Sequence, residues 1–456
     1  MARNMTQGSI TGHMLVYAVP LVFGNLFQQL YHTVDSVVVG QFNGKEALAA
    51  IGAAGPIMNI LIFLIVGLSM GASIIMAEYF GAGDFPALKK EMATSIVAGL
   101  ILTVIFTVLA VAGSGLFIRL TQTPEEIAPL ASDYLRIVTA GLIFTFFYNI
   151  LSAGLRAIGD SKAPLYVLML TTVVNVVLDI LLVGGFHMSV YGAAVATVIA
   201  QAVSAVLLLV YIAARAKILW VPVRELHIDK AFLKKTVDFS SVSALQQTML
   251  YLGRLLGQSG VNTLGVDAVA AFNAVSIVDS YVLAPGDSLA SSMTTFAAQN
   301  RGAGTFSRIS RGLKTMLWIA EIYVALVAVI VFSQCRLLLG FFLKPEETAA
   351  IAVGISYLIP MSFGYLLSGI TNTFQGYFRG IGNLKITLWA TLLQIPIRVA
   401  LTYLLLDALG VQAVAAGTII GWICMALFEV FCYRRWGRFD EKGLVCERIW
   451  READEH

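Results

Sequence analysis

The chain has 456 residues, of which 58% are hydrophobic and only 12% charged, with a formal net charge of +3. Its mean hydropathy is +0.82. Soluble domains carry about twice that share of charge, and a water-soluble fold of this size could not bury so much apolar surface. A soluble enzyme, a disordered chain and a disulfide scaffold are therefore excluded for the chain as a whole, and so small a positive charge gives no footing for nucleic acid.

In chain order, residues 1–12 are short and polar, and the first apolar stretch is too long for a cleavable leader, so it is expected to stay in the membrane. Apolar stretches of spanning length then lie at 14–42, 47–78, 93–118, 128–155, 163–185 and 191–214. A basic segment, 215–235, follows, and six more stretches lie at 236–262, 268–298, 313–334, 349–378, 384–407 and 411–433. A polar tail, 436–456, closes the chain. Runs apolar for about twenty residues, without period-two alternation, exclude a β-barrel. The sequence thus reads as an all-α polytopic membrane protein with twelve transmembrane helices.

Lys and Arg set the expected direction. With the N-terminus inside, only Lys45, Arg119, Arg336 and Lys344 fall in external loops, and Arg136, Arg254 and Arg398 fall within spans. The other basic residues lie in loops or tails on the N-terminal side, a strong positive-inside bias. Both termini are expected in the cytoplasm and the chain in the cell inner (plasma) membrane.

A six-helix unit occurs twice. Leu155-Arg156-Ala157-Ile158-Gly159-Asp160-Ser161-Lys162 returns as Phe378-Arg379-Gly380-Ile381-Gly382-Asn383-Leu384-Lys385. Gly81-Ala82-Gly83 returns as Gly302-Ala303-Gly304, and Pro124-Glu125-Glu126 as Pro345-Glu346-Glu347. Gln28-Gln29 sits against Gln246-Gln247 and Ala49-Ala50 against Ala270-Ala271. An even number of spans per unit makes the two repeats parallel. The expected lobes are 1–214 and 236–435, joined by 215–235, around a central cleft that alternating access would open to either side.

Charge inside hydrocarbon asks for a reason. Asp35 lies in the first span, with Gln28, Tyr31 and His32 near the same helix face. The fifth span carries Asn175 and Asp179, four residues apart on one face, and the sixth carries Thr197. Counting about 1.5 Å per residue from the helix ends places Asp35, Asp179 and Thr197 in one layer, ~9–11 Å inside the external end. Two neighbouring carboxylates can share one proton, and the same oxygens suit Na+. The competing reading is a hydrogen-bonded network that only ties the three spans together. Pro20, fifteen residues before Asp35, is either a fixed kink or a moving hinge. In the second half, Asp279 and Asp287 are placed to pair with Arg254. Glu321, Arg398 and Asp407 are ambiguous, and Arg398 holds the repeat position of Asn175.

These residues resemble the MATE family of multidrug and toxic compound extrusion transporters. The resemblance rests on Asn25-Leu26-Phe27-Gln28-Gln29-Leu30-Tyr31-His32-Thr33-Val34-Asp35, on Asn175 and Asp179, on Thr197, and on the paired turns at Arg156 and Arg379. The spacing from Pro20 to Asp35 is similar to the prokaryotic DinF-like branch. By that resemblance the chain would export cationic or amphipathic drugs by antiport with H+ or Na+, with Asp35, Asn175, Asp179 and Thr197 as the cation-coupling set. It departs from branches with an acid inside the seventh span, where this chain has Arg254. The other reading is a lipid-linked precursor flippase, for which Arg254 and Arg398 would be the deep basic residues.

No catalytic residues are expected, since no HExxH, paired-His or GxSxG site occurs. Cys335, Cys424, Cys432 and Cys446 lack metal-site spacing. No cofactor is expected, and no metal beyond Na+ at the coupling site. The expected partners are small-molecule drugs and the lipid bilayer, with each chain working as a monomer.

Overall fold

A computed structural model describes residues 3–120, 123–440, 443 and 444, with the backbone alone for 30–46, 48, 120, 439, 440, 443 and 444. Twelve α-helices run in order: α1 Ile10–Ala82, α2 Phe85–Leu120, α3 Ala128–Ala140, α4 Leu142–Ala157, α5 Lys162–Asp179 and α6 Ser189–Arg215. The second six are α7 Lys230–Val261, α8 Val266–Gly302, α9 Phe306–Gly340, α10 Thr348–Gly380, α11 Leu384–Leu409 and α12 Gln412–Trp436. A two-residue antiparallel pair, Phe439–Asp440 with Gly443–Leu444, follows α12.

Among the described residues, ten helical stretches are long and apolar enough to cross a membrane, and α3 with α4, bent by 43°, makes an eleventh. The expected seventh span is α7. It is helical over 32 residues, yet Lys234, Lys235, Asp238, Gln246, Gln247 and Arg254 make it too polar to meet the same measure. The expected break between the first two spans, at 43–46, is corrected: helical backbone continues through Asn43 and Gly44. Glu46 and the Ala-rich run after it are strong helix formers, and their propensity outweighs the local turn signal. Two separate stretches of α1, Ile10–Gln29 and Ala49–Ala82, keep spanning character.

The repeated motifs turn out to be helix ends. Gly159 and Gly382 have φ of +83° and +81°, and Gly83 and Gly304 have +73° and +69°. At each, the glycine N–H bonds three residues back and the next N–H five residues back. Examples are Asp160 N to Leu155 O at 2.9 Å and Asn383 N to Phe378 O at 2.9 Å. This is the Schellman closure, and a left-handed residue there favours glycine. The repeats share these glycines because the same helix ends must close the same way.

The chain folds into two compact units. One comprises Pro20–Thr248 with the segment ending at Asn4; the other comprises Met5–Val19 with the chain from Met249 onward. These bounds differ from lobes cut at 214 and 236, because the start of α1 packs in the second unit and the start of α7 in the first. In the first unit Lys235 pairs with Glu78 at 3.0 Å, and Ser240 donates to the Leu68 carbonyl at 2.8 Å. In the second, Ser292 donates to the Met14 carbonyl at 3.0 Å, and Tyr17 bonds Thr295 at 2.9 Å.

Helices in lipid associate by close backbone packing, which needs small residues four apart. Gly67 and Gly71 of α1 supply this against Ala244 and Ser240 of α7, and a Cβ at either glycine would strike that backbone. Gly376 and Gly380 of α10 do the same against Ala290 and Thr294 of α8. Gly71→Val is expected to lower the melting temperature of the purified protein sharply, whereas Gly55→Ala, where a Cβ meets nothing within 4 Å, leaves it unchanged. Equal melting of the two variants would refute this packing role.

Candidate functional site

In the first unit, α5 ends at Asp179 and the backbone continues as a π-helical turn, Ile180–Gly185. π-helical turns are rare, and this one closes the C-terminal end of α5 before the loop to α6. Here the turn follows directly on the Asn175–Asp179 pair. Both side chains are buried, at 1% and 0% exposure. With its amide set to satisfy both neighbours, Asn175 donates to Asp179 Oδ2 at 2.9 Å and accepts from the Thr197 backbone N–H at 3.2 Å. Thr197 thus enters through its main chain, a contribution that spacing alone does not reveal. The arrangement is a buried carboxylate with one oxygen fixed by an amide that α6 holds in turn. Such a group can take up and release a small cation with little rearrangement.

The side chains of Tyr31, His32 and Asp35 lie outside the described residues, although their backbone belongs to α1. Gln28 is exposed. Pro20 is buried and stands where the chain leaves one compact unit for the other.

The second unit holds a different constellation. Asp279 of α8 accepts hydrogen bonds from Tyr357, at 2.7 Å, and from Tyr365, both on α10. Tyr357 and Tyr365 are buried in the apolar cluster that includes Val275, Val278 and Val282 of α8. Sequence reading missed these tyrosines, because their meeting with Asp279 depends on how α8 and α10 register. The expected ion pairs are corrected: among the described residues no carboxylate lies within 4 Å of Arg254. The tyrosine hydroxyls occupy Asp279 instead, while Arg254 and Asp287 are exposed. Arg254 and Arg398 act on Asp279 only at longer range.

Two more buried acids and one half-buried acid carried no sequence signal of function or were left ambiguous. Glu91 of α2 is fully buried and accepts from Ser95 at 3.0 Å and Thr236 at 2.9 Å. Glu429 of α12, also fully buried, accepts from Gln375 at 2.5 Å. Glu321 of α9 lies against Gly369 of α10, where a Cβ would stand 2.5 Å from its Oε1. Asp407 is exposed near the end of α11.

The MatE family model matches the chain twice, at residues 20–181 and 243–404. The chain belongs to the MatE family. The two matches are offset by the same 223 residues that separate Arg156 from Arg379. This MatE-family chain is 29% identical to the probable multidrug resistance protein YoeA of Bacillus subtilis, over 90% of this chain and 91% of that one. It is 27% identical to the probable multidrug resistance protein YpnP of the same organism, over 98% of this chain and 100% of that one. A MATE family transporter solved in an outward-facing conformation superposes with a TM-score of 0.88 at 22% identity, covering 94% of this chain and 96% of that one. The fold is shared with that transporter, and the chain is a polytopic membrane protein.

Hydrogen bonds to charged groups are worth about 1.5–3 kcal/mol when one partner is removed. In this MatE-family chain Asn175→Ala is expected to destabilise by an amount in that range, read as a lower melting temperature in detergent. Thr197→Val keeps the backbone N–H and should melt like the parent. A drop with Thr197→Val as large as with Asn175→Ala would rule out the main-chain role.

Proposed function

We propose that this chain is a secondary active exporter of cationic and amphipathic organic compounds, driven by antiport of H+ or Na+ through alternating access. The observation that carries the proposal is the buried Asn175–Asp179 pair, tied to α6 and followed at once by the π-turn. Asp35, Asn175, Asp179 and Thr197 form the cation-coupling set in this reading, with Gln28, Tyr31 and His32 as accessory contacts. The names of the two Bacillus relatives, as multidrug resistance proteins, support drug-like cargo.

The chemistry follows from cost. An ionised carboxylate at the centre of a span costs several kcal/mol unless paired, hydrogen-bonded or neutralised. A proton or Na+ on Asp179 removes that cost, so the loaded and empty states favour different packings of α1, α5 and α6. A ligand shifts such an equilibrium only by its differential affinity for the two states. Pro20 breaks one helical hydrogen bond of α1, so bending there is cheap. It also stands where the two compact units exchange the chain. In this reading Pro20 is the hinge of α1.

Asp35→Asn and Asp179→Asn are each expected to abolish ethidium efflux from cells at normal expression. Proteoliposomes holding the parent chain should accumulate dye under an imposed pH or Na+ gradient, one of the two sufficing. Undiminished efflux in both variants would reject the coupling set, and transport collapsing only to equilibrium under every gradient would reject antiport.

A further inference from the structure

The second unit contains two arginines, Arg254 and Arg398, that form no ion pair within 4 Å among the described residues. Arg254 projects from α7 and is exposed. Arg398 of α11 lies against the same helix, its Nη2 3.8 Å from where a Cβ on Gly257 would stand. Gly257 is three residues from Arg254, so the two guanidiniums share one face of α7. The Nε of Arg398 is buried and has no hydrogen-bond partner. Neither arginine has a carboxylate within 4 Å among the described residues.

Acids stand nearby but are otherwise engaged or out of reach. Asp279 is bound by Tyr357 and Tyr365, and Asp287 acts on Arg254 only from beyond ion-pair distance. The two arginines also act on each other as like charges. Like charges on neighbouring guanidiniums repel, and the buried Nε of Arg398 without an acceptor adds a desolvation cost. An oxyanion between them would meet both needs, because guanidinium donors match carboxylate and phosphate oxygens in a fork geometry.

We propose that Arg254 and Arg398 form an oxyanion-binding subsite, which takes the carboxylate or phosphate of an amphipathic cargo molecule. The subsite rests on the exporter reading above and extends its cargo beyond cations to zwitterions and anions. The tyrosine pair is a positioning element: by holding Asp279, it keeps that carboxylate from closing onto Arg398. The subsite needs no covalent chemistry and no metal.

Three probes with one ring system separate the possibilities: 1-naphthylacetate, 1-naphthyl phosphate and 1-naphthylmethylammonium, each measured by equilibrium dialysis against the purified full chain. The parent is expected to bind at least one oxyanion probe, and the tighter of the two identifies carboxylate or phosphate as the preferred group. Arg254→Gln with Arg398→Gln should raise that Kd at least ten-fold while ammonium binding stays the same or tightens. Arg254→Gln alone, at an exposed position, should raise it at least three-fold, and decides the matter if the double variant does not elute as a monodisperse species. Tyr357→Phe with Tyr365→Phe frees Asp279 and should also weaken the oxyanion probes.

No oxyanion binding by the parent, or parental affinity in the arginine variants, overturns the proposal; the latter result would mean that the arginines are satisfied by Asp279 and Asp287 through water. Ethidium efflux keeps the two readings apart. If the arginine variants retain efflux but lose oxyanion binding, the subsite stands. If the Asp35 and Asp179 variants both retain efflux, the coupling set of the exporter reading fails without touching these binding results.

Discussion

Hydrocarbon offers a polar side chain no partner, so each one inside a span must be answered by another group of the protein. That constraint organises this molecule more than any sequence motif does. Asp179 is answered by Asn175, which in turn takes a main-chain N–H from α6. Asp279 is answered by two tyrosines, Glu91 by a serine and a threonine, and Glu429 by a glutamine. In each of these hydrogen bonds the donor is neutral. A neutral donor fixes a carboxylate in place without cancelling its charge. A lysine or arginine in the same place would satisfy the acid and silence it. The close ion pairs among the described residues, Lys90–Asp229, Arg136–Asp133 and Lys235–Glu78, instead sit at helix ends or beside loops.

Duplication supplied the scaffold, and divergence supplied the chemistry. The parts that repeat most faithfully are the glycine helix ends, where backbone geometry admits few alternatives. The parts that differ are the polar groups within the spans. Asn175 of the first repeat corresponds to Arg398 of the second, and the two family-model matches keep the same offset across both. One repeat therefore places a carboxamide beside a carboxylate, and the other places a guanidinium near a carboxylate held by tyrosines. Close packing through Gly67 and Gly71, and again through Gly376 and Gly380, is common to both units. It is indifferent to the charges that distinguish them.

Much of the fold was legible because apolarity over about twenty residues is a strong signal and most spans carry it. The membrane class, the existence of the repeat and the pairing of Asn175 with Asp179 all follow from local composition and spacing. What was not legible depends on contacts between helices distant in sequence. Tyr357 and Tyr365 look like ordinary aromatic residues in an apolar run until α8 is laid beside α10. Glu91 lies just ahead of the apolar stretch 93–118, and nothing local announces the bond it accepts from Thr236 of α7. The unit boundaries escaped for the same reason: nothing in residues 5–19 or 230–248 states which unit they will join. That is decided by hydrogen bonds such as Ser292 to Met14 and Ser240 to Leu68. The continuous backbone through 43–46 is a different failure, a local turn signal overruled by helix propensity in the residues after it.

The exchange of helix starts between units bears on how an ion bound in one place affects another. Coupling requires an element with two arrangements that both sites bias. α1 begins in one unit, passes Pro20 and continues in the other, and α7 crosses in the opposite sense at Thr248. Each crossing helix thus has one end anchored by hydrogen bonds in a unit whose chemistry differs from that at its other end. α1 starts in the tyrosine-and-arginine unit and carries Asp35 in the other. α7 carries Arg254 in one unit and the Glu78 and Glu91 contacts in the other. In the proposed antiport, α1 is the covalent connection along which a change of charge at Asp35 would act, and Pro20 lowers the cost of bending it. Coupling by this route needs no chain of side-chain contacts through the protein interior. The proposed coupling requires only that two packings of α1 would differ in how well they accommodate a neutral as against an ionised carboxylate, a difference that the low dielectric of the span enlarges.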